Sequence, residues 1–344
     1  MFDKIIESTK VAQFKEWITK ENSFVIIGHI GPDGDAVGSS LGLWHLLKSL
    51  GKSGQIVMPN AFPTFLEWMP GSEHILFFDT DEAKAVEAIN NADVICLLDF
   101  NTLSRIGDMG ELVAEAKAKK IMIDHHLDPD DHCDITMSYP KVASTSELVF
   151  RLIEQLGYVN NITKEGAESI YTGMMTDTGS FTYNSNDKDI YTIISLLLER
   201  GIDKDAIYRK VNHTYSECRL RLMGHVLSRM KVYPTRAALL TLTADEQESF
   251  NYVKGDSEGF VNTPLSVKDV VCSCFLREDR EFDMIKVSLR SVGTFPCNKM
   301  AAEFFNGGGH LNASGGEFFG TMEEAIERFE KAIEKYKPLL LEKH

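Results

Sequence analysis

No apolar run in the chain approaches the roughly 18 residues needed to cross a bilayer, so no membrane span is expected. The first 20 residues are polar and amphipathic and lack the continuous apolar stretch of a secretory signal, which predicts a cytoplasmic protein. The six cysteines (Cys96, Cys133, Cys218, Cys272, Cys274, Cys297) never form a CxxC pair. That argues against a structural zinc site and for reduced thiols, with Cys272 and Cys274 packed on one buried strand face. Basic residues are in short supply. Thirty-six Lys and Arg stand against 51 Asp and Glu, a formal net charge of −15. Proteins that grip long nucleic acid through its phosphates carry a basic surface, so a long polyanion is excluded as a partner. A phosphate-bearing substrate would have to be short and met by a local cationic site. Internal repeats and low-complexity segments are missing as well.

What the chain does contain is a series of short apolar runs, each closed by Asp or His. Phe24-Val25-Ile26-Ile27 leads into Gly28-His29-Ile30-Gly31-Pro32-Asp33-Gly34-Asp35. Val94-Ile95-Cys96-Leu97-Leu98 ends at Asp99, and Lys120-Ile121-Met122-Ile123 ends at Asp124-His125-His126. Apolar runs of this length, rich in β-branched residues, read as buried strands, and open α/β sheets place their ligand sites at the carboxyl ends of such strands. Helical patterns over 4–20, 35–50, 81–92, 111–119, 144–156, 164–175 and 187–200 alternate with the strands, which predicts a doubly wound, mainly parallel sheet over residues 1–190. A strand-free, polar helical connector is expected over 191–230. The β-rich segments 237–243, 269–277 and 284–290, with helices at 298–305 and 321–339, predict a smaller C-terminal α/β domain with a mixed sheet over 231–344.

His29, Asp33, Asp35, Asp99 and His125 combine carboxylate and imidazole donors at one predicted sheet edge. That mixture suits Mn²⁺ better than Mg²⁺, because Mn²⁺ accepts nitrogen more readily. Asp177, after the helix that ends near Met175, would supply a fourth carboxylate. Taken singly, Asp35 reads as a helix N-cap, Pro32-Asp33-Gly34 as a turn and Asp177 as a turn residue. His132 lies on an acidic loop and reads as surface. Gly51-Lys52-Ser53 lacks the first glycine and the preceding strand of a phosphate-binding loop, and Gly28, Gly31 and Gly34 miss the dinucleotide-binding spacing. In the second domain Arg290-Ser291 closes a strand. Gly307-Gly308-Gly309-His310 reads as a tight loop whose backbone N–H groups can approach an anion.

Together, Gly28-His29, Pro32-Asp33-Gly34-Asp35-Ala36, Gly38-Ser39, Asp99, Asp124-His125-His126 and Thr176-Asp177-Thr178-Gly179 resemble the four signature motifs of the DHH phosphoesterase superfamily. Gly307-Gly308-Gly309-His310 with Ala313-Ser314-Gly315 resembles the signature of the accompanying DHHA1 domain. The motifs run from residue 28 to 315, and the size resembles the nanoRNase type. The resemblance implies two divalent metal ions, Mn²⁺ favoured over Mg²⁺: one on His29, Asp33 and Asp99, the other on Asp35, Asp99, His125 and Asp177. Asp124, His125, His126 and Asp99 would be the catalytic set, with His126 facing the substrate. Arg105, Arg290, Ser291, Gly308, Gly309 and His310 would hold substrate phosphates. The implied reaction is attack of a metal-generated hydroxide on phosphorus, releasing nucleoside 5′-monophosphates from very short oligoribonucleotides and removing the 3′-phosphate of 3′-phosphoadenosine 5′-phosphate (pAp). A linear or cyclic dinucleotide phosphodiesterase would use the same metal site, and a non-catalytic nucleotide-binding module remains a further alternative. A soluble pyrophosphatase shares Asp-His-His but not the glycine loop at 307–310. Oligomeric state stays open, a homodimer included.

Overall fold

The computed structural model describes residues 4–213 and 215–342. The chain divides into two compact units, Met1–Thr214 and Tyr215–His344. This division falls inside the segment read as a connector.

Among the described residues, the first unit is built on a six-stranded sheet: β1 (Ser23–Ile27), β2 (Ser53–Met58), β3 (Leu76–Phe77), β4 (Val94–Leu98), β5 (Lys119–Asp124) and β6 (Ile135–Ser138). All pairings are parallel, in the order β3-β2-β1-β4-β5-β6. Strands of a parallel sheet are covered on both faces, which is why these runs are apolar throughout instead of alternating. Pleating then sends alternate residues to opposite sides. Val94, Cys96 and Leu98 join one core with Phe24, Ile26, Ile121 and Ile123. Ile95 and Leu97 join a second with Val25 and Ile27. The helices are α1 (Ser8–Lys20), α2 (Gly34–Ser49), α3 (Phe78–Asn90), α4 (Met109–Glu115), α5 (Thr145–Leu156), α6 (Lys164–Asp177), α7 (Lys188–Leu198) and α8 (Lys204–Asn212). Helices α1, α2, α5, α6, α7 and α8 pack on the first core; α3 and α4 pack on the second.

Helices α2 and α6 cross closely because glycine lines the contact. A Cβ at Gly38 would lie 2.7 Å from the Ser169 carbonyl, and one at Gly173 would lie 2.9 Å from Asp35 Oδ1. This crossing brings Asp35 on α2 towards Asp177 on α6.

The second unit contains α9 (Glu217–Ser228), β7 (Lys231–Val232), β8 (Ala237–Leu242), α10 (Ala244–Ser249), β9 (Cys272–Asp279), β10 (Met284–Ser291), α11 (Cys297–Phe304), β11 (Gly308–His310), β12 (Ala313–Phe318) and α12 (Met322–Lys335). Its sheet runs β11-β12-β10-β9-β8-β7 and is mixed, since β8 and β9 pair parallel and the other neighbours antiparallel. Cys272 and Cys274 are free and fully buried on one face of β9. The amphipathic α12 starts with the expected capping box of Thr321 and Glu324.

Two local readings change. Gly308–His310 is a strand paired with Ala313–Gly315, not a loop; a Cβ at Gly307 would lie 2.0 Å from the Gly315 carbonyl, so glycine here permits close strand approach. The N-cap of α2 is Asp33, whose Oδ1 accepts from the N–H groups of Asp35 and Ala36 at 2.9 and 3.1 Å. Asp35 is therefore released from capping and its carboxylate turns inward.

Candidate metal centre

Strands β1 and β4 are neighbours whose chain connections leave in opposite directions, and that reversal opens a crevice beyond their carboxyl ends. His29 lies two residues past β1, Asp99 directly follows β4, and Asp124 ends β5. Asp99 adopts φ of 66°, a left-handed conformation that Asp tolerates better than most residues. Its N–H still reaches the Ile123 carbonyl at 3.2 Å, so the turn out of the strand is tied to β5.

Three groups of ligand atoms meet at this edge: His29, Asp33 and Asp99; Asp35, His125 and Asp177; Asp99, His125 and His126. Asp99 belongs to two of them, and so does His125. The His29 Nδ1 lies 2.9 Å from the Ile30 carbonyl and the His125 Nδ1 3.4 Å from the Val142 carbonyl. Each ring thereby turns Nε2 towards the carboxylates. His29 Nε2 is 3.6 Å from Asp99 Oδ2 and 4.0 Å from Asp33 Oδ1. His125 Nε2 is 3.7 Å from Asp99 Oδ1 and 3.5 Å from Asp177 Oδ2. These gaps exceed hydrogen-bond lengths, whereas two donors each about 2.1 Å from one cation sit roughly 3.0–3.5 Å apart.

The electrostatics ask for a cation. Burial raises the pKa of Asp35, Asp99 and Asp177, and mutual carboxylate repulsion raises each of them further. Burial opposes protonation of His29, yet the nearby carboxylate of Asp99, with that of Asp33, outweighs it and pushes its pKa up to about 9. Protons thus occupy places that a hard divalent ion satisfies better, and the carboxylate and imidazole donors fit such an ion. Metal uptake must displace those protons, so affinity for Mn²⁺ rises with pH. Asp177→Asn removes a carboxyl group that must take up a proton to sit among the others: differential scanning fluorimetry in chelator should show a melting point a few degrees above the parent's. The same variant should show a smaller Mn²⁺-induced rise than the parent, since the His29, Asp33 and Asp99 group is intact.

Asp124 does not join the three groups. It is fully buried, its Oδ1 receives His126 Nδ1 at 2.7 Å and its Oδ2 receives the His126 N–H at 3.0 Å. Burial opposes protonation of His126, but Asp124 and then Asp99 outweigh it, and the pKa is raised. Arg105, exposed on the 3₁₀ turn Leu103–Ile106, lies near enough for its charge to oppose that rise. His132 is exposed, 3.8 Å from Asp130.

Sequence reasoning missed the corner that supports this edge. Ser144 caps α5, and the Thr145 and Ser146 N–H groups donate to the two oxygens of Asp35 at 2.6 and 2.9 Å. Thr145 Oγ1 donates to Asp99 Oδ1 at 2.8 Å. Glu147 accepts from the Ala143 N–H and pairs with buried Arg151 at 2.7 Å, and Arg151 reaches Asp189 at 3.4 Å. The pattern Ser144-x-x-Glu147 was the available signal, since it has the spacing of a capping box.

In the second unit Arg290 Nη1 donates to the Leu289 carbonyl at 2.9 Å, and the Ser291 hydroxyl to the Phe295 carbonyl at 2.8 Å. Gly308, Gly309 and His310 are exposed on β11.

A sheet-edge cluster of Asp and His ligands at a strand-order reversal, with a separate mixed-sheet unit after it, defines a class of metal-dependent phosphoesterases. Residues 23–174 match the N-terminal domain of the DHH family, and residues 238–337 match the DHHA1 domain. The chain belongs to the DHH phosphoesterase family and carries a DHHA1 domain. The bifunctional oligoribonuclease and PAP phosphatase NrnA of Thermus thermophilus is 31% identical over 314 residues, spanning 91% of this chain and 90% of that protein. The cyclic-di-AMP phosphodiesterase GdpP of Bacillus subtilis is 27% identical over 334 residues, 94% of this chain but 49% of that protein. A crystal structure of an exopolyphosphatase-related protein from Bacteroides fragilis is 63% identical with a TM-score of 0.98, covering 99% of this chain and 100% of that one. Among the described residues, no helix is long and apolar enough to cross a membrane.

Proposed function

We propose that this protein hydrolyses very short oligoribonucleotides to nucleoside 5′-monophosphates and removes the 3′-phosphate of pAp. One observation carries the reading: the ligand groups are contiguous at the sheet edge, Asp99 joining His29 and Asp33 to His125, and His125 joining Asp99 to Asp35 and Asp177, an arrangement that suits an adjacent pair of cations. The NrnA relative, matched over nine-tenths of its length, supports the choice of substrates.

His29, Asp33 and Asp99 would hold one divalent ion, and Asp35, Asp99, His125 and Asp177 the other, with Mn²⁺ favoured over Mg²⁺ by the imidazole donors. Such ions supply Lewis acidity, an activated water at neutral pH and neutralisation of charge on the phosphoryl oxygens. Asp124 fixes His126 through Nδ1, and the raised proton affinity of that ring suits it to protonate the departing oxygen. Arg105 adds positive charge beside His126. In the second unit, Arg290, Ser291, Gly308, Gly309 and His310 form the proposed phosphate-binding group. The domain boundaries of this reading are a catalytic domain over 1–190, a connector over 191–230 and a substrate-binding domain over 231–344. The protein is proposed to act in the cytoplasm, away from membranes and long nucleic acid.

A dinucleotide phosphodiesterase is the second reading, favoured by the similarity to GdpP. Purified protein with Mn²⁺ should be given an RNA series from dinucleotide to about 24-mer, with pAp, cyclic di-AMP and pyrophosphate alongside. Rapid mononucleotide release from the shortest RNAs, with phosphate from pAp, is the expected result. Turnover of the cyclic dinucleotide alone would instead establish the second reading.

A further inference from the structure

The first unit holds a cavity of about 650 Å³ beside the amino end of β2. The metal-ligating groups stand beyond the carboxyl ends of the strands, so this cavity lies at the other end of the sheet and shares no residue with them. Its volume falls within the roughly 300–1,000 Å³ of pockets that take a whole small molecule.

The cavity exists because the edge strand is short. β3 pairs only with Val57 and Met58, which leaves Ser53, Gly54 and Gln55 of β2 without a strand on their outer side. Side chains cover part of that edge instead. Trp44 Nε1 donates to the Gly54 carbonyl at 2.8 Å, and Gln55 Nε2 donates to the Ile56 and His74 carbonyls at 2.9 and 2.8 Å. The Ser53 N–H turns inward to the Asn22 carbonyl at 2.9 Å, so the next N–H, that of Gly54, faces outward. The indole is held firmly, since a Cβ at Gly54 or Gly71 would lie 3.0 or 2.7 Å from its ring.

The charges around the cavity do not all cancel. Lys84 pairs with Asp81 at 3.1 Å, and Glu73 lies 3.6 Å from His74 Nε2. Lys48 and Lys52 have only neutral partners among the described residues. Lys48 Nζ sits 4.1 Å over the Trp44 ring, and Lys52 Nζ donates to the Glu21 carbonyl at 2.8 Å and lies 3.5 Å from Asn22 Oδ1. Two uncompensated ammonium groups beside an outward N–H form a local anion site in a chain whose net charge is −15. The His74 ring, exposed and 5.7 Å from the Trp44 ring, offers a flat surface nearby. Both hydrogens of the Gln55 amide are spent on carbonyls, which leaves Oε1 to accept from a ligand. An anion site, a flat ring and an acceptor together match a phosphate ester that carries an amino-bearing aromatic base.

We propose that this cavity is a second ligand site, remote from the metal centre, that binds a nucleoside monophosphate. Lys48, Lys52 and the Gly54 N–H take the phosphate, His74 stacks on the base, and Gln55 Oε1 accepts from its amino group. The site stands whichever phosphate ester is hydrolysed at the metal centre.

The chain has three tryptophans, so its indole N–H signals in a ¹H–¹⁵N spectrum of the full-length protein are few, and Trp44→Phe identifies the one at the cavity. AMP, adenosine and inorganic phosphate are titrated in chelator into the parent and into Lys48→Gln and His74→Ala, whose backbone spectra check folding. AMP should shift the Trp44 signal to saturation, and Lys48→Gln should weaken that binding about tenfold. His74→Ala should weaken AMP and adenosine but leave phosphate unchanged. A Trp44 signal that AMP leaves in place, or moves equally in the parent and in Lys48→Gln, overturns the proposal. Phosphate that binds as tightly as AMP overturns it too, by making the cavity a bare anion site.

Discussion

Asp99→Asn should lower turnover about a thousandfold, which corresponds to roughly 4 kcal/mol of lost transition-state stabilisation. The amide keeps the size of the side chain and still accepts from Thr145 Oγ1, so the left-handed turn at the end of β4 stays supported. What it loses is the charge that both ligand groups need, since Asp99 belongs to His29 and Asp33 on one side and to His125 and His126 on the other. Replacing any ligand of a single group would leave the other group intact. Steady-state rates on a short RNA, with thermal shifts at rising Mn²⁺, separate the cases. Near-normal turnover at saturating Mn²⁺ would show that Asp99 bridges nothing.

A second large effect lies outside the ligand set. Arg151→Met should destabilise the first unit by about 3–5 kcal/mol, because it leaves Glu147 and Asp189 charged and buried without their cation. Urea denaturation read by fluorescence checks the magnitude. Adding Glu147→Gln and Asp189→Asn to that variant removes the stranded charges and should recover much of the loss. Glu147 also receives the Ala143 N–H, next to the Ser144 cap and the Thr145 and Ser146 donors on Asp35. Arg151→Met should therefore raise the Mn²⁺ concentration needed for half-maximal activity as well. A variant that lost stability with no change in Mn²⁺ requirement would separate the buried ion pairs from the metal site.

The sequence revealed the strand ends that carry the Asp and His cluster because each closes an apolar run that only a sheet covered on both faces explains. His29, Asp99 and Asp124 were readable from that pattern. The roles of the individual carboxylates were less so: Asp33 and Asp35 sit two residues apart in one turn, and the start of α2 decides which caps and which turns inward. The α5 corner was hidden for a different reason. Glu147 and Arg151 have the spacing of an ordinary exposed pair on a helix, and nothing local marks them as buried. Their third partner, Asp189, is 38 residues further along the chain. Likewise Gly307 to Gly309 has the composition of a turn, and its pairing with β12 is imposed by the neighbouring strand rather than by propensity. The short strands β3 and β6 carry too few residues to show a period.

The most direct test of the account is a Mn²⁺ titration of metal-free protein followed by electron paramagnetic resonance. Two ions per chain should bind, and the second should broaden the signal of the first through exchange across a shared carboxylate. Asp99→Asn should abolish that coupling. A single ion per chain, or two that remain magnetically independent, would contradict a bridged centre at the β1–β4 edge.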